Sequence, residues 1–245
     1  MCTLSWVRHD EGYTVLFNRD ERRTRSPGLP PSVQMRSGVR FLAPRDPDGG
    51  GSWAAVNDHR IALCILNQYD VPRASIAQPI SRGLLLLSLA DLSSQAEVWN
   101  RVKSSGLMQY APFTLAAFEP GLPALLLSWD GHGLSDQTHG STGLVITSSS
   151  VAQQEADQSR RRLFEEALAV GATSEDVLDR LHRSHLPAEG ALSVCMHRED
   201  AETVSLTKIA AGRSGVALSY VPGAPCRAQA PVILSLAVRA PSSAY

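Results

Sequence analysis

Cys2 and the run Asn18-Arg19-Asp20-Glu21 are the residues of this chain whose types could do chemistry together. A small second residue generally permits removal of the initiator methionine, which would leave Cys2 with a free α-amine beside its thiol. An α-amine titrates ordinarily at about 7.7–8.0, a range suited to a general base at neutral pH. A thiol of pKa about 8.5 gains thiolate character when a guanidinium lies beside it. Arg19 supplies such a charge, and Asp20 can hold and orient the ammonium form of the amine. The competing reading is a cysteine without a role, followed by a solvated Arg-Asp-Glu turn.

For these groups to meet, the first twenty or so residues must fold back on themselves. Leu4-Ser5-Trp6-Val7 and Tyr13-Thr14-Val15-Leu16-Phe17 are rich in β-branched and aromatic residues, and Asp10-Glu11-Gly12 separates them. That pattern predicts a hairpin, with the free end of its first strand against the last residues of its second. Cys2 then lies beside Asn18, Arg19 and Asp20.

A second hairpin is predicted from Trp53-Ala54-Ala55-Val56 and Ile61-Ala62-Leu63-Cys64-Ile65-Leu66, joined through Asn57-Asp58-His59. Its second strand is nearly continuous in apolar residues, as in a strand covered on both faces. Asn67 is the first polar residue after it. There an amide could donate to a developing oxyanion, a bond typically worth about 2.7–4 kcal/mol, or simply close a turn.

Several of these segments resemble the NRDE, or transport-and-Golgi-organisation, family. The resemblance lies in Cys2-Thr3, Asn18-Arg19-Asp20-Glu21, Gly49-Gly50-Gly51-Ser52-Trp53, Leu66-Asn67 and Ser81-Arg82-Gly83. It continues through Val194-Cys195-Met196-His197-Arg198, Thr203-Val204-Ser205 and Pro222-Gly223-Ala224-Pro225-Cys226. It implies one domain over residues 1–245, an α+β four-layer αββα sandwich of the N-terminal-nucleophile (Ntn) hydrolase type. It further implies that Cys2, Arg19, Asp20 and Asn67 form the catalytic group, acting on a small amide or acylated metabolite, by hydrolysis or acyl transfer. Asn18, Trp53 and His197 are the candidates for contacting substrate, Trp53 as a pocket wall. The alternative reading is a non-catalytic module that binds or carries haem or an acyl lipid. No C-x-x-C-H motif is present, so haem would be held without covalent attachment; in the hydrolase reading no cofactor is expected. Relatives acting on amides use a second Asn after a later strand and an Arg before a C-terminal strand. Val145-Ile146-Thr147-Ser148 and Glu189-Gly190-Ala191 offer neither.

With 245 residues, 43% hydrophobic, 19% charged and a net charge of −1, the chain has ample core and no electrostatic footprint for nucleic acid. Arg19 to Arg25 is locally basic, read as a solvated loop or as a binder of anionic groups. The four cysteines contain no C-x-x-C pair, so neither a metal site nor a disulfide framework is expected. Cys2 is expected to be the most reactive thiol and Cys64 an inert core residue. Cys195 lies mid-strand and Cys226 after a Pro-rich turn, with no cation fixed beside either. No apolar run approaches the roughly 18 residues of a membrane helix, and nothing at the N-terminus reads as a signal peptide. A cytoplasmic protein is expected.

Elsewhere, Ser26–Pro31 reads as an extended, exposed connector. Gly49–Gly51 reads either as a place where backbone nears a ligand or as a flexible link. Ser81 is expected to cap a helix through Leu84–Ala90, with a polar helix following from Gln95 to Lys103. Strands are expected at 39–43, 112–119, 124–129 and 143–147. Ser150 with Gln153 reads as a capping box for a helix through Ala169. Ser174 is expected to cap a shorter helix, whose His182 and His185 share a face with no third ligand evident. Strands at 191–197, 203–209 and 215–220 complete the pattern as a meander.

Overall fold

A computed structural model describes residues 2–71, 78–140, 143–169, 174–227 and 229–239, the side chains of residues 174 and 175 excepted. The capping role expected of Ser174 lies outside the described residues. The first hairpin forms as β1 (Cys2–His9) and β2 (Gly12–Arg22), with Cys2 opposite Arg19 and Thr3 opposite Asn18. Strand alternation divides its side chains between two faces. Leu4, Trp6, Tyr13, Val15 and Phe17 point into one core, while Val7 and Leu16 point into another.

β1 lies inside its sheet, between β2 and β10 (Gly143–Ser148). The same sheet continues from β2 through β11 (Ala201–Ala211) and β12 (Gly215–Pro222) to β13 (Val232–Ala237). The second sheet runs in chain order: β3 (Leu29–Arg36), β4 (Val39–Arg45), β5 (Ala54–Asn57), β6 (Ala62–Asn67), β7 (Phe113–Phe118), β8 (Ala124–Trp129) and β9 (Leu134–His139). Every strand pair in both sheets is antiparallel.

The sheets face each other across a core that includes Trp6, Phe17, Leu42, Leu66, Phe118 and Leu218. Burying a side chain such as Phe17 stabilises the fold by about 1.5–3 kcal/mol. Helices α1 (Arg82–Ser88) and α2 (Gln95–Lys103) cover the seven-stranded sheet, with Leu85, Leu86, Val98 and Val102 in that layer. Helices α3 (Gln153–Ala169) and α4 (Ser174–Arg183) cover the six-stranded sheet through Phe164, Leu178 and Leu181. The layers are therefore αββα, as expected.

Four local expectations are corrected. The Pro-rich segment enters β3, an edge strand, where Pro30 and Pro31 forfeit no ladder bond that a neighbour needs. Ser81 occupies the N-cap of α1 but its hydroxyl makes no capping bond. At α3 the reciprocal bond joins Gln153 to Ser149, whose backbone N–H donates to Gln153 Oε1, rather than to Ser150. The segment 191–197 is not a strand; it enters ladder pairing only at His197, bridged to Glu202. Its carbonyls take side-chain donors instead. Arg160 of α3 donates to the carbonyls of Ala191, Leu192 and Ser193, and Asn18 to that of Val194.

Candidate active site

Cys2 is 9% exposed and lines a cavity of about 710 Å³ together with Arg19, Asn67 and Trp53. Four of the residues singled out from sequence are thus brought to one place. β1 carries Cys2, β2 carries Arg19 directly opposite it, and β6 in the other sheet ends at Asn67. A seryl hydroxyl ties the two sheets at this point. Ser148, the register partner of Cys2 on β10, donates from Oγ to the Asn67 carbonyl at 2.6 Å. The Asn67 amide donates to the Tyr69 hydroxyl at 2.7 Å, which fixes its plane and leaves its second hydrogen for another acceptor.

Arg19 is almost wholly buried, and its guanidinium is committed to other partners. It lies 4.4 Å over the Trp53 ring, and one terminal nitrogen sits 3.2 Å from Glu21 and 3.4 Å from Asp46. Arg25 joins the same cluster through Asp46 and Glu21. The charge expected to activate the Cys2 thiol is therefore shared with carboxylates. In this chain, with Met1 in place, burial and then the neighbouring carboxylates of Asp20 and Glu21 outweigh the favourable influences, and the thiol is pushed up to about 11. The charge of the chain's terminal amine and, less strongly, the backbone N–H of Asp20 favour the thiolate, too weakly to reverse this.

The loop before Trp53 owes its path to glycine. A Cβ on Gly51 would sit 2.3 Å from the Gly83 carbonyl carbon, and one on Gly83 would sit 2.7 Å from the Ser52 nitrogen. Backbone packed on backbone in this way brings the start of α1, with Ser81 and Arg82, to the cavity wall. Asp46, Glu21 and Arg82 also line the cavity, and none of them was assigned a role there from sequence. The run of alternating charges at 19–25 and the acids of 46–48 were the available signal.

Asn18 is corrected as a substrate contact. It faces away from the cavity, wholly buried, with its amide donating to the carbonyls of His182 and Val194. Its Oδ1 lies 2.9 Å from His182 Nδ1, and His182 Nε2 lies 2.7 Å from Ser5 Oγ. Because both amide hydrogens of Asn18 are spent on carbonyls, Nδ1 carries the imidazole hydrogen and Nε2 accepts from Ser5. Burial, with the Arg160 charge, pushes His182 down to about 3, so the ring is neutral at physiological pH. Asp20 lies in the same layer. Its Oδ1 accepts from Thr203 at 2.7 Å, and burial raises its carboxyl while the Arg160 charge opposes the rise. Arg160 donates to Thr3 Oγ1 at 2.7 Å, completing a buried polar group behind β1 and β2.

His197 is corrected as well: it does not line the Cys2 cavity. Its Nε2 lies 3.5 Å from Cys195 Sγ and 3.3 Å from Cys226 Sγ, a contact the sequence did not signal. Cys226 is exposed, whereas Cys2, Cys64 and Cys195 are buried. Burial raises the Cys64 thiol far out of reach of neutral pH.

The sequence matches no protein-family model and no curated protein. Solved structures do share the fold. A conjugated bile acid hydrolase from Clostridium perfringens, in its C2A mutant, superposes with a TM-score of 0.60 at 11% identity, covering 97% of this chain and 92% of its own. A Caenorhabditis elegans ortholog of N-acylethanolamine-hydrolyzing acid amidase gives 0.58 at 11% identity, covering 84% and 92%. Penicillin V acylase from Agrobacterium tumefaciens gives 0.57 at 10%, covering 97% and 86%. The fold is that of the Ntn-hydrolase acylases. Within it, this chain is an αββα sandwich that presents a cysteine at position 2 from an interior strand of its six-stranded sheet, next to the edge.

Proposed function

We propose that this protein is an Ntn cysteine hydrolase of the NRDE family that cleaves or transfers the acyl group of a small amide or acylated metabolite. The observation that carries the reading is Cys2 opening, with Arg19 and Asn67, onto a cavity of about 710 Å³ between the two sheets. The same fold in acylases and an amidase supports it.

In this reading, removal of Met1 converts the Cys2 nitrogen from an amide to an amine. That amine takes the thiol proton as Sγ attacks the substrate carbonyl. The carbonyl oxygen gains the negative charge and is met by the free hydrogen of the Asn67 amide. Collapse of the tetrahedral adduct breaks the C–N bond, and the Cys2 ammonium returns the proton to the leaving nitrogen. Water, or another amine, then attacks the thioester with the same α-amine as base. Asp20 orients the ammonium. Arg19, braced on Trp53 and by two acids, shapes the cavity wall.

Intact mass of protein made in a host with methionine aminopeptidase tests the first step, with loss of Met1 expected. Processed protein should hydrolyse members of an N-acyl amide panel, and Cys2→Ala should abolish turnover. Retained Met1, or full activity in Cys2→Ala, would end the proposal.

A further inference from the structure

Away from the cavity, four side chains from three separate segments converge. His185 follows α4, Cys195 and His197 precede β11, and Cys226 lies in the turn after β12. Each offers one ligand atom, and the four atoms lie within 4.8 Å of one another. We infer that these residues form a structural zinc site of two cysteines and two histidines.

The geometry carries the assignment. Zn–N bonds of about 2.0–2.1 Å and Zn–S bonds of about 2.3 Å, set tetrahedrally, separate nitrogen from sulfur by about 3.5 Å. His197 Nε2 stands 3.5 Å and 3.3 Å from the two sulfurs. Two imidazoles on one zinc hold their ring centroids about 5 Å apart. The His185 and His197 rings are 5.1 Å apart and nearly perpendicular.

Each ring also turns its other nitrogen towards a carboxylate. Glu202 Oε2, buried and without a hydrogen bond, lies 3.7 Å from His197 Nδ1. Glu189 lies 4.0 Å from His185 Nδ1, while His185 Nε2 is buried and makes no hydrogen bond. A carboxylate on the far ring nitrogen is the usual device for orienting a ligating imidazole.

The donor set selects the metal and its role. Two thiolates and two imidazoles in a tetrahedron suit Zn²⁺. The thiolates cancel its charge, which fits Cys195, wholly buried at the inner side. Four protein ligands leave no open position, so the ion is a clip rather than a catalyst. Two of the segments it would join are already aligned by the backbone bond from Cys195 N–H to the Ser184 carbonyl, and a bond from Arg227 N–H to the Ala224 carbonyl closes the turn that carries Cys226. This inference does not depend on the hydrolase reading.

The test uses the full chain, purified under reducing conditions without chelator or affinity metal. Elemental analysis should find about one zinc per chain. Cobalt exchanged into the site should give visible d–d bands and a near-ultraviolet thiolate charge-transfer band, lost in Cys195→Ser and in Cys226→Ser. Because those variants alter packing, Glu202→Gln serves as the milder probe and should weaken zinc binding about 10–100-fold with the fold retained. In wild type, zinc should shield the exposed Cys226 from iodoacetamide, and chelation should unshield it. Absence of both bound zinc and a cobalt charge-transfer band in reduced protein would overturn the proposal. So would a Cys195–Cys226 disulfide in protein prepared anaerobically.

Discussion

Acidification should weaken this fold through His182. The ring is wholly buried between Ser5 and Asn18 and is held neutral, its pKa pushed down to about 3 by burial. In the unfolded chain an imidazole takes its proton near 6.5. Between those values the unfolded state binds more protons, so stability is full above pH 6.5 and is lost as pH falls towards 3. At about 1.36 kcal/mol per pH unit, roughly 2 kcal/mol is lost by pH 5 and roughly 5 kcal/mol by pH 3. Asp20 acts in the opposite sense, because its carboxyl is raised and gains stability as pH falls just above its ordinary range. The informative quantity is therefore a difference between proteins. Urea unfolding of wild type and His182→Gln at pH 7.5, 6 and 5 isolates it. The variant should be less stable at pH 7.5 but lose about 2 kcal/mol less than wild type between pH 7.5 and 5, a Tm difference of about 4–8 °C. Parallel losses in the two proteins, within about 0.5 kcal/mol, would refute the assignment of a buried neutral imidazole.

Arg160→Met should cost about 3–5 kcal/mol and lower Tm by roughly 6–20 °C, because it strips the donors from Thr3 and the 191–193 carbonyls and removes a buried positive charge that favours the ionised Asp20 carboxyl; calorimetry reads it directly. Gly51→Ala should cost about 1–3 kcal/mol by urea denaturation, since its Cβ would meet the Gly83 backbone at 2.3 Å. In metal-stripped protein that retains Met1, limiting iodoacetamide should label exposed Cys226 before Cys2, whose thiol is buried and pushed up to about 11; peptide mapping gives the order.

The first hairpin was legible because alternation and an Asp-Glu-Gly turn are local signals, and its register brought Cys2 to Arg19 as expected. Asn67 was legible for the same reason, as the first polar residue after a buried strand. The two edge strands of the seven-stranded sheet were not. β3 has two prolines directly after its first residue, and β9 carries Ser135, Asp136, Gln137 and Thr138 in the open, so neither resembles a half-buried strand. The 191–197 segment reads as β from its own residues, yet a guanidinium from α3 satisfies its carbonyls. No local pattern encodes that. Asn18 was misassigned because β2 alternation sends it to the helix face, where His182 awaits it from far along the chain. The Cys–His group was invisible in sequence because only Cys195 and His197 are near neighbours, and the fold supplies the other two.

The interior position of β1 and β2 sets a timetable for synthesis. Val15 of β2 pairs with Ile209 of β11, and at about 5–20 residues per second the ribosome delivers that partner roughly 10–40 s later. Until then the hairpin exposes Leu4, Trp6 and Phe17 on one side and Leu16 on the other, with two open edges able to pair with another chain. Such long-range closure is slow even after release. Nascent chains should therefore be clients of holdase chaperones for most of their time on the ribosome. Overexpression at low temperature, which slows aggregation of the waiting hairpin, should raise the recovered yield.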